Sequence, residues 1–234
     1  MNRKSCTFAF AIVMTKPLEM KKIFIIATLL IATLLHVDAQ SPMRDLWIQM
    51  PDSVVAYLDV NSRTEMADFY DIKVKTGTKN LLEGKSAIDS LTSDYIHVTL
   101  NSSTTLQIKK LQTESSFVIC LIKTFTAPEP ESEVSFFSSS WKPLKDTFGL
   151  PVTNDASSLI KQFTTRPDTI SQERYEELAS MLDPVMISAE MSVNEQVVTF
   201  SLSRPLIEKS EILNINAIFK QRKFKWNGQT FIEC

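Results

Sequence analysis

The chain is 234 residues long, 44% hydrophobic and 22% charged, with 25 basic and 27 acidic side chains and a formal charge of −2. That balance argues against a nucleic-acid binder, which needs a basic face to displace counterions. Only four glycines occur, neither a Gly-x-Gly-x-x-Gly nor a Walker A pattern is present, and no cofactor is expected.

Met20-Lys-Lys22 followed by the apolar run 23–35 has the form of a secretory leader. A basic start precedes about 13 apolar residues, short of the ~20 that span a bilayer. Val37-Asp-Ala39 supplies small or modest residues for cleavage, so translation is expected to start at Met20 and the mature chain at Gln40. The alternative is an uncut N-terminal anchor. With cleavage, a periplasmic or secreted protein without a stable membrane anchor is expected. Without residues 1–39, which carry five basic and two acidic side chains, the 25 and 27 become 20 and 25, a formal charge of −5.

The mature segment, 40–234, has the length of one α+β domain. After Pro51, Asp52 or Ser53 can start a helical turn through Val54, Val55 and Leu58. Ser62 and Glu65 have the capping-box spacing, and Met66, Phe69 and Tyr70 then share one helical face. Residues 80–84 and 88–91 lead into the first strand of the sheet that follows, or form a short edge strand of their own.

Four β-rich runs follow, at 94–100, 104–111, 116–125 and 133–138. In the first, Ile96, Val98 and Leu100 alternate with Tyr95, His97 and Thr99, a strand with one dry face. In the third, Phe117, Ile119, Leu121 and Phe125 fall on one side and Val118, Cys120 and Ile122 on the other. Such a strand is buried on both faces and belongs inside its sheet. The links are too short for parallel crossovers, so an antiparallel meander covered by amphipathic helices is expected.

The motifs Met50-Pro-Asp-Ser53, Asn61-Ser-Arg63, Gly84-Lys-Ser86, Leu91-Thr92 with Asp94-Tyr95, Lys123-Thr124 with Ala127-Pro128, and Trp141-Lys-Pro-Leu144 occur in an order that resembles an uncharacterised secreted family of Bacteroidetes, domain-of-unknown-function family 3256. The chain departs from the family pattern at Glu131-Ser132, where Asp-Ser is usual, and at Phe137, where tyrosine is usual. The resemblance implies a periplasmic or surface location and supplies no activity, substrate or cofactor.

Glu129, Glu131 and Glu133 lie in a Pro-Glu segment that could gather calcium, although alternating Pro and Glu favours an extended solvated link. No metal site is assigned. Phe136, Phe137 and Trp141 either enter the core or form an aromatic platform for a glycan or peptide. Phe137, Trp141, Glu131 and Glu133 are therefore the candidate contacts to a ligand, an envelope protein or a glycan. Cys120 reads as a buried apolar side chain; a bridge to Cys234 would close a long loop and could stabilise by about 4–5 kcal/mol.

Residues 143–168 show few periodic signals and read as a long connection. Ser171 can cap a helix carrying Tyr175, Leu178, Ala179 and Leu182, stopped by Pro184. Residues 186–191 and 197–203 form a second hairpin, in outline like that at 94–111, as two similar sub-lobes at 40–142 and 168–234 would show. Residues 208–220 read as a last helix with Ile212, Ile215, Ile218 and Phe219 inward. Asn227-Gly228 signals a two-residue type I′ hairpin that pairs Phe224 with Phe231. Lys220, Arg222, Lys223 and Lys225 could hold an anion or simply form a solvated edge.

His97 is the single histidine after residue 39, so any Ser-His-Asp or Cys-His device depends on it. No catalytic residue is assigned. A non-catalytic binding module is the favoured reading. The alternative is a carboxylate-dependent hydrolase of envelope or dietary polymers, for which Asp94, Glu131, Glu133 and Asp155 are available.

Overall fold

The computed structural model describes residues 42–151, 155–204 and 208–234. The expected leader at 20–39 lies outside the described residues. Residues 41–234 form one unit, built as two open antiparallel sheets with helices on their faces.

Helix α1 (Pro42–Ile48) begins with proline, whose missing N–H is an orphan at that position. Met43, Leu46 and Trp47 form its buried stripe. The segment after Pro51 makes turns rather than helix, with Val55 and Leu58 buried. Helix α2 (Val60–Asp71) starts earlier than the capping-box spacing suggests. Its cap is Asp59, whose carboxylate accepts the Ser62 amide at 2.8 Å. Two buried arginines tie these helices together. Arg63 donates to Asp52 at 2.8 Å, to the Ile48 carbonyl at 3.3 Å and to the Leu58 carbonyl. Arg44 pairs with Asp71 at 2.9 Å and with Asp68.

The first sheet is the expected meander. Its strands β1 (Thr78–Lys79), β2 (Lys85–Leu91), β3 (Tyr95–Asn101), β4 (Thr104–Gln112), β5 (Phe117–Phe125), β6 (Glu131–Ser138) and β7 (Pro143–Leu144) lie in sequence order. β5 is buried on both sides: Ile119 and Leu121 pack under α1 and α2, while Cys120 and Ile122 face the second layer.

That layer holds β8 (Ile187–Met191), β9 (Val197–Leu202), β10 (Arg222–Trp226) and β11 (Phe231–Glu233), in the order β11-β10-β9-β8. The stretch read as a long connection contains α3 (Ala156–Phe163), capped by Asp155, with Leu159 and Phe163 buried. Ser171 caps α4 (Gln172–Ser180) as expected. The last helix is shorter than its periodicity suggests: a 3₁₀ turn (Lys209–Glu211) precedes α5 (Ile212–Ile218).

The terminal hairpin has a different register from the one Asn227-Gly228 predicts. Trp226 pairs with Phe231 and Phe224 with Glu233, leaving a four-residue loop. The cause is the Asn227 side chain, which accepts the Gln229 and Thr230 amides at 2.9 and 2.8 Å and so builds a wider turn. The shift is two residues, so Phe224, Trp226 and Phe231 remain on the buried face.

β8, the inner edge of the second sheet, is set against the first. Ser132 Oγ accepts the Ala189 amide at 2.9 Å, and Gln107 Oε1 accepts the Met191 amide at 2.8 Å. Nearby, buried Lys109 pairs with Asp94 at 3.0 Å and donates to the Val193 carbonyl at 2.7 Å. Its ammonium also stands 5.6 Å from the centre of the Tyr95 ring. Burial, with smaller contributions from the charges of Glu190 and Asp89, pushes the Tyr95 phenol up to about 12. This polar seam fastens the two layers.

Candidate functional site

The aromatic residues proposed as a platform are used mainly for packing. Trp141 is buried, donates its indole N–H to the Leu46 carbonyl at 3.2 Å and lies 5.4 Å from Phe137. Phe137 is half-buried in the same cluster, under α1 and α2. Phe136 is buried on the opposite face, edge-on to Phe148 at 4.9 Å. No exposed platform forms from these rings, because strand alternation sends them into the two cores.

Cys120 is a buried free thiol, as its place in β5 suggests, and Cys234 is an exposed free thiol, so the two are not bridged here. Burial pushes the Cys120 thiol far up, so it is not a nucleophile at neutral pH. His97 Nδ1 lies 3.3 Å from the Asp89 carboxylate, and Thr99 Oγ donates to that same carboxylate at 2.8 Å. A relay requires imidazole between hydroxyl and acid; here the hydroxyl goes to the acid directly. Among the described residues no group of three or more His, Cys, Asp or Glu is placed to hold a metal ion.

Glu131 and Glu133 instead border a cleft of about 580 Å³. One side is five consecutive residues of β6, Glu131 to Ser135. Pro151, Ala156 and Leu159 form another wall, and Val185, Ile187 and Phe200 form the apolar floor. Successive strand residues point to opposite faces, so five in a row can line one space only if it runs along the strand's edge.

That edge is open for a specific reason. β7 pairs only with the end of β6, through Phe136 with Leu144 and Phe137 with Pro143. The Ser138 amide donates to the Lys142 carbonyl at 2.9 Å, which fixes the direction of its neighbours. With a period of two, the N–H and C=O of Phe136, Val134 and Ser132 point the same way. Phe136 meets Leu144; no strand among the described residues meets Val134 or Ser132. Pro143 opens β7 at a position that needs no N–H, so the strand starts there without loss.

The chain that could have continued β7 turns away to cover β11. The Phe148 carbonyl accepts the Phe231 amide at 2.8 Å and Thr230 Oγ at 2.7 Å. Phe148 and Gly149 both have positive φ, 50° and 82°. A Cβ at Gly149 would lie 2.8 Å from Thr230 Oγ and 2.9 Å from the Phe231 carbonyl. Only glycine fits that turn. One edge is thus covered, and the other meets no strand among the described residues.

A second cleft, of about 550 Å³, lies between the C-terminal half of α2 and β2, with Phe69, Tyr70 and Ile88 among its walls. Asp89, engaged with His97 and Thr99, is on its rim. Sequence reasoning found Glu131 and Glu133 but missed the free edge between them. The one local signal was Gly149, whose positive φ turns the chain away after β7.

Comparison with solved structures finds a domain of an uncharacterized protein from Porphyromonas gingivalis W83, with a TM-score of 0.66 and 18% identity over 83% of this chain and 100% of that one. The likeness extends to the fold. No functionally curated protein matches the chain. The profile of a family described as "Protein of unknown function (DUF3256)" matches residues 34–231, which takes in every helix described above and every strand but the last two residues of β11. The chain therefore belongs to this family.

Proposed function

We propose that the chain is a non-catalytic binding module of the cell envelope, holding an envelope protein or glycan in the cleft along β6. The observation that carries this reading is the half of β6 that meets no strand among the described residues, a run of backbone along a cleft large enough for a ligand. The hydrolase alternative has less support. Glu131 and Glu133 sit two apart on one strand and address the same side of a ligand, whereas glycosidic cleavage uses carboxyl groups that flank the bond. Export rests on the leader-like segment at 20–39.

Binding is tested by placing a photo-crosslinking residue at Ser135, in the cleft, and at Lys161, exposed on α3. Irradiation of cells is expected to give a defined adduct from the first site only. Adducts from neither site, or from both equally, would contradict the reading. Amino-terminal sequencing of the mature protein is expected to begin at Gln40; a retained leader would contradict export by cleavage.

A further inference from the structure

The free edge narrows the ligand beyond what a cleft alone would. We propose that an extended peptide joins the first sheet as an added strand beside residues 131–135, carrying lysine or arginine at alternate positions. This rests on the binding-module reading above and names the partner's chemistry.

The backbone argument comes first. Ser132 and Val134 each direct an N–H and a C=O outward, two residues apart, which is the repeat of an antiparallel or parallel ladder. Another main chain matches that repeat with donors and acceptors in step. The intervening residues Glu133 and Ser135 direct theirs to β5 and are already paired. A cleft that follows five residues of strand also has the reach of an extended segment, about 17 Å.

The side chains then specify composition. Glu131 and Glu133 are exposed and, among the described residues, neither is in an ion pair. Lys123 faces Glu133 across the β5 pairing, but its ammonium lies 4.9 Å from the centre of the Phe125 ring instead. Among the described residues no basic side chain lines the cleft. The two carboxylates project from one face of β6 with the spacing of alternate residues on a neighbouring strand, so opposite charge there is favoured. On the other face the wall is apolar, with Leu159, Ile187 and Phe200. The peptide that fits alternates cationic and apolar side chains. Recognition by strand addition works in this way, with main-chain bonds supplying affinity and alternate side chains supplying specificity.

The test uses the protein from Gln40 onward and a short capped peptide alternating lysine and valine. Saturable binding is expected, with hydrogen exchange at the Ser132 and Val134 amides slowed at least tenfold and that at Glu133 and Ser135 little changed. Methylating alternate peptide nitrogens should weaken binding at least tenfold in one phase and not in the other. Replacing the lysines with glutamate should weaken it similarly, and E131K with E133K should reverse that preference. Val134→Pro, which removes one outward N–H, should abolish binding while the protein stays folded. Binding that ignores methylation in both phases and leaves the two amides unprotected would overturn strand addition while leaving a binding cleft. Failure of the peptide to bind alongside a crosslinked adduct at Ser135 would overturn the peptide and retain the module. Failure of both would overturn both.

Discussion

Two strand edges in this molecule meet opposite fates. β8 turns its outer amides towards protein, where Ser132 and Gln107 accept them from Ala189 and Met191. β6 turns the outer amides of Ser132 and Val134 into a cleft, where no strand among the described residues receives them. Unpaired edges invite association, and folded proteins normally block them. Ser132 belongs to both edges. Its hydroxyl seals β8 while its own backbone remains available. Such selective sealing is what a protein that binds by strand pairing requires.

Matched substitutions can break this contrast. The largest effect should come from Ala189→Pro, which deletes a buried donor and drives a ring towards Ser132. We expect a loss of about 3 kcal/mol or more in urea unfolding; a loss below about 1 kcal/mol would mean the seal is unimportant. Gly149→Ala should cost about 1–3 kcal/mol, because the positive φ and the contacts with Thr230 and Phe231 leave no room for a methyl group. Gln107→Leu strands the Met191 amide and should cost about 1–3 kcal/mol by the same assay.

The seam between layers also carries a pH signature. Because the Tyr95 phenol is raised to about 12 in the fold, its contribution is fully present below the unfolded value near 10. It is lost as pH rises through about 12. Stability should therefore fall across that alkaline window, and Tyr95→Phe should flatten part of the slope; an unchanged slope would count against the buried phenol. The smallest effect is expected for Val134→Pro. Its N–H faces the cleft, so the loss should be about 1 kcal/mol or less, and a loss comparable to Ala189→Pro would show that the β6 edge is internally bonded.

The legibility of these features in the sequence follows the range of the interactions that create them. The two-sided character of β5 was readable because alternation is local, and so was the Ser171 cap. The terminal hairpin was readable in kind and in face, but the Asn227 side chain changed its loop length. Helix α3 was missed because its eight residues bury only Leu159 and Phe163, too few to show a period. Asp59 outcompeted Ser62 for the cap of α2 through extended backbone geometry that composition does not reveal. Glu131 and Glu133 stood out as a solvated acidic run. The free edge beside them did not, since it depends on Phe148 bonding a residue more than eighty positions away.

Residue-resolved amide hydrogen exchange on the ligand-free protein most directly tests the contrast. Ser132 and Val134 should exchange at rates near those of open chain, while Ala189 and Met191 should be protected by at least a hundredfold. Equal protection at all four amides would contradict an open β6 edge.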